Sequence, residues 1–181
     1  VKKSSKFSYI NNRFAQQMPK FDLICETDLK KTIEINPKNI NALIILGTYY
    51  KNNFNYFEGY KYFDSAINID KKNSLGYFGR AICAQGLKKY EVALEDYTFI
   101  INNFDLSSIL FVYDMSIKHT VKLCDVFACR ADTFIKLGKT DDAITDLNQA
   151  IELDPKSTDL LFERGKLKAI KGDYMGAIKD Y

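Results

Sequence analysis

Small and large apolar residues recur along this chain with a common period of 34 residues. Ala81 follows Gly47, and Gly165 follows Ala131, at that spacing, and a second series of small residues starts at Gly59. Small side chains at two fixed places in each period let paired helices approach to about 8–10 Å. The pattern predicts a row of stacked antiparallel helix pairs. Large apolar residues surround the small ones at two further positions: Leu43, Tyr77, Phe127, Leu161, Phe63, Tyr97, Leu147 and Tyr181.

The period divides the chain 1–181 into one array of helical units with a single insertion. Pro37 and Pro155 stand where apolar-periodic runs end, because the residue before a proline disfavours helix. No run alternates with period two without also fitting a helix, so we expect an all-α fold with little or no sheet. The units span 6–39 (degenerate), 40–73, 74–107, 124–157 and 158–181, and the last is truncated at its 24th position.

The insertion, 108–123, contains neither glycine nor proline, and its apolar residues follow a helical spacing. Leu110, Ile117 and Val121 fall on alternating steps of three and four with Asp114. This spacing predicts that 107–123 is a helical extension of the next unit, in one long helix over 107–137 that overshoots its partner by about four turns. Its apolar stripe either folds against the array or forms an interface with a partner or with a second copy of the chain.

Several units carry a recognisable motif in register. One copy reads Leu43-x-x-Leu46-Gly47-x-x-Tyr50, followed by Phe63 and Ala66. These residues resemble the tetratricopeptide-repeat (TPR) family, and the resemblance covers roughly 6–181. It implies a right-handed α-solenoid of antiparallel helix pairs, whose first helices line a concave groove that docks peptides or protein segments. A second copy comprises Phe127, Arg130, Ala131, Phe134, Ala143, Leu147, Ala150 and Pro155.

The resemblance also implies which side chains face the groove, namely positions two, five, six and nine of each first helix. The residues there change from apolar at one end to acidic at the other, which favours a ligand with hydrophobic residues followed by Lys or Arg. Alternatively, the first unit or the insertion covers the apolar end. The candidates are Ile44, Ile45, Thr48, Phe78, Ile82, Asp125, Asp132, Glu163 and Lys166.

Family members that grip the acidic C-termini of heat-shock chaperones share a clamp of Lys, Asn and Arg at fixed groove positions. In one register this chain has Ile44 and Thr48 at those positions, then Gly79, then Asp125 and Cys129, and the other registers also lack the clamp. The missing and reversed charges therefore disfavour acidic chaperone tails as partners.

Three arginine–aspartate pairs recur with a separation of 16 residues. Each arginine stands at position seven of its unit and each aspartate at position 23, on the second helix. We expect each pair to tie its two helices together, since arginine's stem covers apolar surface while its head bonds a carboxylate. A ladder of arginines for an anionic ligand is the alternative. The pairs are Arg80 with Asp96, Arg130 with Asp146, and Arg164 with Asp180.

Composition excludes several function classes. A net charge of +3, from 26 basic and 23 acidic residues, gives no reason to expect nucleic acid or a membrane as ligand. His119 is the single histidine and the four cysteines form no C-x-x-C motif, so we expect no catalytic residues, metal or cofactor. Reduced thiols fit the cytoplasm.

The sequence therefore favours a non-catalytic scaffold or adaptor that binds a peptide or protein segment in its groove or through 107–123. Because the chain begins at Val1 and ends inside a unit, we also expect it to be part of a longer polypeptide. The alternative function is a non-catalytic targeting or regulatory region of a larger enzyme.

Overall fold

The computed structural model describes residues 23–103, 110–113 and 118–181. The start of the predicted first unit, 6–22, lies outside the described residues. The described part contains nine helices in chain order: α1 (Leu23–Ile35), α2 (Ile40–Asn52), α3 (Tyr56–Ile69), α4 (Ser74–Gly86), α5 (Tyr90–Asn103), α6 (Leu123–Lys136), α7 (Thr140–Leu153), α8 (Thr158–Ile170) and α9 (Tyr174–Asp180).

Short polar signals set the boundaries of these helices. The side chains of Asn39, Asn73 and Asp173 accept hydrogen bonds from backbone N–H groups in the first turns of α2, α4 and α9, at 3.1, 2.8 and 2.9 Å. Such bonds satisfy amides that have no partner inside the helix. The chain then reverses between the helices of a unit through a left-handed residue, which is Gly138 (φ +73°) between α6 and α7.

Consecutive helices pack against each other along the array, and the first helices of neighbouring units, α2, α4 and α6, also touch one another. Phe63 shows why the small positions are needed, because its ring fills the space beside two glycines. A Cβ atom added to Gly79 would lie 2.3 Å from that ring, and one added to Gly47 would lie 3.0 Å from it. The predicted α-solenoid of antiparallel helix pairs is thus confirmed.

The predicted helix over 107–137 is wrong. The insertion instead forms an antiparallel pair of strands, β1 (Leu110–Tyr113) and β2 (Lys118–Val121), and α6 begins only at Leu123. Valine, threonine and aromatic residues favour strands, and in a short apolar segment the three-and-four spacing does not separate strand from helix. Because residues 110–113 and 118–121 form strands, the helical stripe predicted for self-association through 107–123 does not form there.

The strand pair returns to the array at its end. Val121 is fully buried and belongs to a core cluster with Phe78, Ile82 and Cys129, and β1 lies against α4. The insertion therefore packs on the first helices of the third and fourth units. Among the described helices, none combines the length and apolarity needed to span a membrane.

Candidate functional site

The apolar end of the predicted groove is largely closed. Phe78 and Ile82 are only 4% and 2% exposed, because they pack in the cluster that contains Val121. As open groove residues these two predictions are wrong, and for them the alternative that the insertion covers this end is the one observed. Ile44 and Ile45 remain half-buried on α2.

A small cavity of about 20 Å³ remains at this end, between α2, α4 and β2. Thr48 and Lys51 line one side, and Leu75 and Val121 line another. Burial lowers the pKa of the Lys51 ammonium. Such a volume holds about one water molecule, so the cavity does not accommodate an amino-acid side chain of a ligand.

Residues of α6 and α8 form the acidic end of the face. Glu163 is only 5% exposed, and its Oε2 accepts a hydrogen bond from Lys166 Nζ at 2.7 Å. Its other oxygen, Oε1, is buried and has no hydrogen-bond partner. Asp132 Oδ1 lies 3.8 Å from Lys136 Nζ. This end therefore holds two largely buried carboxylates, each with a lysine of its own helix beside it.

The charge of Glu163 also acts on Asp132. Burial raises the pKa of Asp132, Lys136 opposes the rise, and the negative charge of Glu163 adds to it. Asp125, the third acidic candidate, has a local role, because its Oδ2 accepts a hydrogen bond from the Lys122 backbone N–H at 2.9 Å. It therefore caps the N-terminus of α6.

The structure brings all three arginine–aspartate pairs together. In each pair the arginine Nε and Nη2 donate to the two carboxylate oxygens, as Arg130 does to Asp146 at 2.8 and 2.7 Å. The arginines are 17–18% exposed and the aspartates 3–4%. These contacts use the guanidinium N–H donors that an anionic ligand would need. The geometry therefore favours ties between helices over a ladder of arginines for an anion.

Each arginine makes a third bond that sequence reasoning missed. Nη1 donates to the second helix of the preceding unit: Arg130 bonds Thr98 Oγ1 at 2.9 Å and Arg164 bonds Asn148 Oδ1 at 2.8 Å. In the third unit the acceptor is Asp64, at 2.5 Å from Arg80 Nη1. All three acceptors stand at position 25 of their units, which is the signal that would have revealed the contact. Each arginine thus joins three helices and two units.

The free cysteines among the described residues lie in the core. Cys83 and Cys124 are buried free thiols, and burial raises their pKa values to about 12 and about 11, which suppresses the reactive thiolate. No group of three or more potential metal ligands occurs in the part of the chain that the structure describes.

Comparison with known proteins agrees with this architecture. Residues 131–172 match the family model described as TPR repeat. The Protein SGT1 homolog of Oryza sativa subsp. japonica is 34% identical over 67 residues, which are 37% of this chain and 18% of that protein. The DnaJ protein P58IPK homolog B of the same organism is 23% identical over 154 residues, which are 78% of this chain and 30% of that protein. The chain thus spans less than a third of the length of these curated relatives.

Solved structures resemble the array over most of its length. MamA superposes with a TM-score of 0.73 at 15% identity, covering 99% of this chain and 91% of that one. YrrB, described as a TPR protein with an unusual peptide-binding site, gives 0.66 at 18% identity, with 84% and 70% covered. The first TPR of Spaghetti (RPAP3), bound to the HSP90 peptide SRMEEVD, gives 0.60 at 20% identity, with 74% and 93% covered. At these identities the similarity establishes the fold.

Proposed function

We propose that this chain, which has the fold of solved tetratricopeptide-repeat proteins and matches their repeat model over residues 131–172, is a non-catalytic interaction module that binds an extended segment of a partner protein on its concave face. Two proteins of the same fold support this class of function, since YrrB has a peptide-binding site and the RPAP3 domain holds an HSP90 peptide. The buried free thiols Cys83, Cys124 and Cys129 fit a reducing compartment such as the cytoplasm.

The acidic end of the face is the observation that carries the proposal. Asp132 and Glu163 present carboxylates from two successive first helices, whereas Val121 fills the space above Phe78 and Ile82 at the other end. Complementary charge steers a partner and sets its register. We therefore expect the bound segment to place a basic side chain over α6 and α8. We also expect it to make fewer contacts with the apolar end of the face than the sequence alone indicated.

This charge pattern separates the chain from members of the fold that bind acidic tails. An acidic segment would place its carboxylates beside Asp132 and Glu163, and like charges across an interface cost several kcal/mol. Acidic chaperone tails thus remain disfavoured as partners. The alternative function, a targeting or regulatory region of a larger enzyme, would use the same surface, and the greater length of the curated relatives keeps it open.

The test selects ligands from a display library of random peptides on the immobilised chain. The affinity of each enriched peptide is then measured for the unaltered protein, for Asp132→Lys, and for Asp142→Lys, which makes the same charge change at an exposed position of α7. We expect Asp132→Lys to weaken binding about tenfold or more and Asp142→Lys to leave it unchanged. Equal affinities for both variants, with helical content preserved, would refute docking on the concave face.

A further inference from the structure

Two buried side-chain atoms in the described residues lack a hydrogen-bond partner, Asn52 Nδ2 on α2 and Glu163 Oε1 on the concave face. A buried polar atom without a partner is unfavourable, and the cost is larger for a charged group than for a neutral amide. The lack of a hydrogen-bond partner is therefore more costly at Glu163 Oε1 than at Asn52 Nδ2.

Glu163 has one carboxylate oxygen without a donor, and the side chain that donates to its other oxygen can move away. Lys166 Nζ bonds Oε2 alone, at 2.7 Å. The Lys166 side chain is 41% exposed, whereas that of Glu163 is 6% exposed. Lysine carries its charge on a flexible stem, so Lys166 can leave the carboxylate while Glu163 stays fixed by its burial.

A second carboxylate stands close by on the neighbouring first helix. Asp132 stands at position nine of the fourth unit and Glu163 at position six of the fifth, and the negative charge of Glu163 contributes to the raised pKa of Asp132. The Asp132 side chain is 18% exposed. Its lysine neighbour, Lys136, lies 3.8 Å away and is 42% exposed. Two carboxylates whose lysine neighbours are 41% and 42% exposed match a guanidinium, whose planar fork presents five N–H donors.

We propose that Glu163 and Asp132 form a subsite for one arginine side chain of the docked segment, with Glu163 Oε1 as its main acceptor. The inference rests on the proposed function, because it names the side chain that the bound segment supplies. Entry of the guanidinium displaces Lys166 towards solvent and gives Oε1 the donor that it lacks.

The same pair of positions recurs at other junctions of the array, where it does not hold two carboxylates. Between the second and third units the equivalent positions, nine and six, are Thr48 and Gly79; between the third and fourth they are Ile82 and Cys129. Only the junction of the fourth and fifth units pairs two carboxylates there. The subsite therefore sets the register of the segment, because its arginine has one place to bind among these three junctions.

The experiment uses four pools of nine-residue peptides with degenerate flanks and a central residue fixed as arginine, citrulline, lysine or norleucine. Citrulline keeps the shape of arginine and removes its charge. We expect the chain to bind the arginine pool about tenfold more tightly than the citrulline pool, since hydrogen bonds between two charged groups are the strong ones. The lysine pool should fall between them.

Matched variants assign the preference to the two carboxylates. Glu163→Gln should bring the arginine and citrulline pools to within about twofold, Asp132→Asn should reduce the preference in part, and Asp142→Asn on α7 should leave it unchanged. An undiminished arginine preference in Glu163→Gln would overturn the subsite, and so would equal binding of all pools by the unaltered chain. Failure of every pool to bind would instead contradict the proposed function itself.

Discussion

The second and fourth units, 40–73 and 124–157, follow one structural plan but close their helix pairs with different chemistry. In the second unit Leu46 is fully buried at position seven, and Tyr62 at position 23 stacks on Tyr50 with 5.5 Å between ring centroids. In the fourth unit the same two positions hold Arg130 and Asp146, joined by two hydrogen bonds. The position in the repeat thus determines which residues a side chain contacts, and the residue type determines whether the contact is apolar or a charged hydrogen bond.

The concave faces of the two units differ as well. Position nine is Thr48 in the second unit and Asp132 in the fourth, and the insertion reaches the cavity beside Thr48 through Val121. The positions that join the two helices of a unit are therefore different from the positions that face a ligand. A solenoid can change its ligand face without rebuilding its core, because each unit contacts only its neighbours.

The largest expected effect comes from placing the same residue at position seven in both units. Leu46→Met keeps an apolar side chain of similar volume and should cost less than about 1.5 kcal/mol of the free energy of unfolding. Arg130→Met leaves the Asp146 carboxylate, 4% exposed, buried without its partner, and should cost about 3–5 kcal/mol. Urea unfolding of the two variants gives both values.

A double variant identifies the cause. If the stranded carboxylate is responsible, Arg130→Met with Asp146→Leu should recover at least about half of the loss, because a buried ion pair replaced by packed apolar residues is often neutral in stability. Equal losses for Leu46→Met and Arg130→Met would show that the fourth unit does not depend on the charge pair.

A smaller effect is expected where Arg130 reaches the preceding unit. Thr98→Val keeps the shape of the side chain and removes the acceptor of the Arg130 Nη1 bond, so it should cost about 1–3 kcal/mol. The control is Thr145→Val on α7, an exposed residue whose hydroxyl bonds only its own helix. The same unfolding midpoint for both variants would mean that this bond does not couple the third and fourth units.

The smallest expected effect is a pH dependence in the fifth unit. Hydrogen bonds from Arg164, aided by Lys168, lower the pKa of Asp180 against the opposing effect of burial. Because the folded pKa is below the unfolded value of about 3.9, ionised Asp180 stabilises the fold above about pH 4, and that contribution is lost as the pH falls through the folded pKa.

Thermal unfolding of the unaltered chain and of Asp180→Asn measures this contribution. The difference between their melting temperatures should be present at pH 7 and smaller at pH 3, because below about pH 4 the unfolded chain takes up the proton that folded Asp180 resists. A difference that stays constant between the two pH values would contradict the role of the carboxylate charge.

Much of the helix pairing was readable from spacing alone. The 16-residue separation of arginine and aspartate predicted contacts that the structure contains, because positions seven and 23 face each other in the three units that carry the pair. The common position of Asp64, Thr98 and Asn148 carried equal information. The insertion was misread, since its short apolar stretch fits both a helix and a strand, and no repeat of it elsewhere in the chain separates the two.

By itself, the sequence determined the repeating helix pairs, their small-residue contacts and their arginine ties. A periodic pattern specifies which face of each helix is buried, and the neighbouring unit always covers that face. Only the tertiary structure decided that Val121 closes the space over Phe78 and Ile82, and that Glu163 retains a carboxylate oxygen without a donor. Both features depend on tertiary contacts between residues that do not stand at equivalent repeat positions. The 34-residue period carries no information about such contacts.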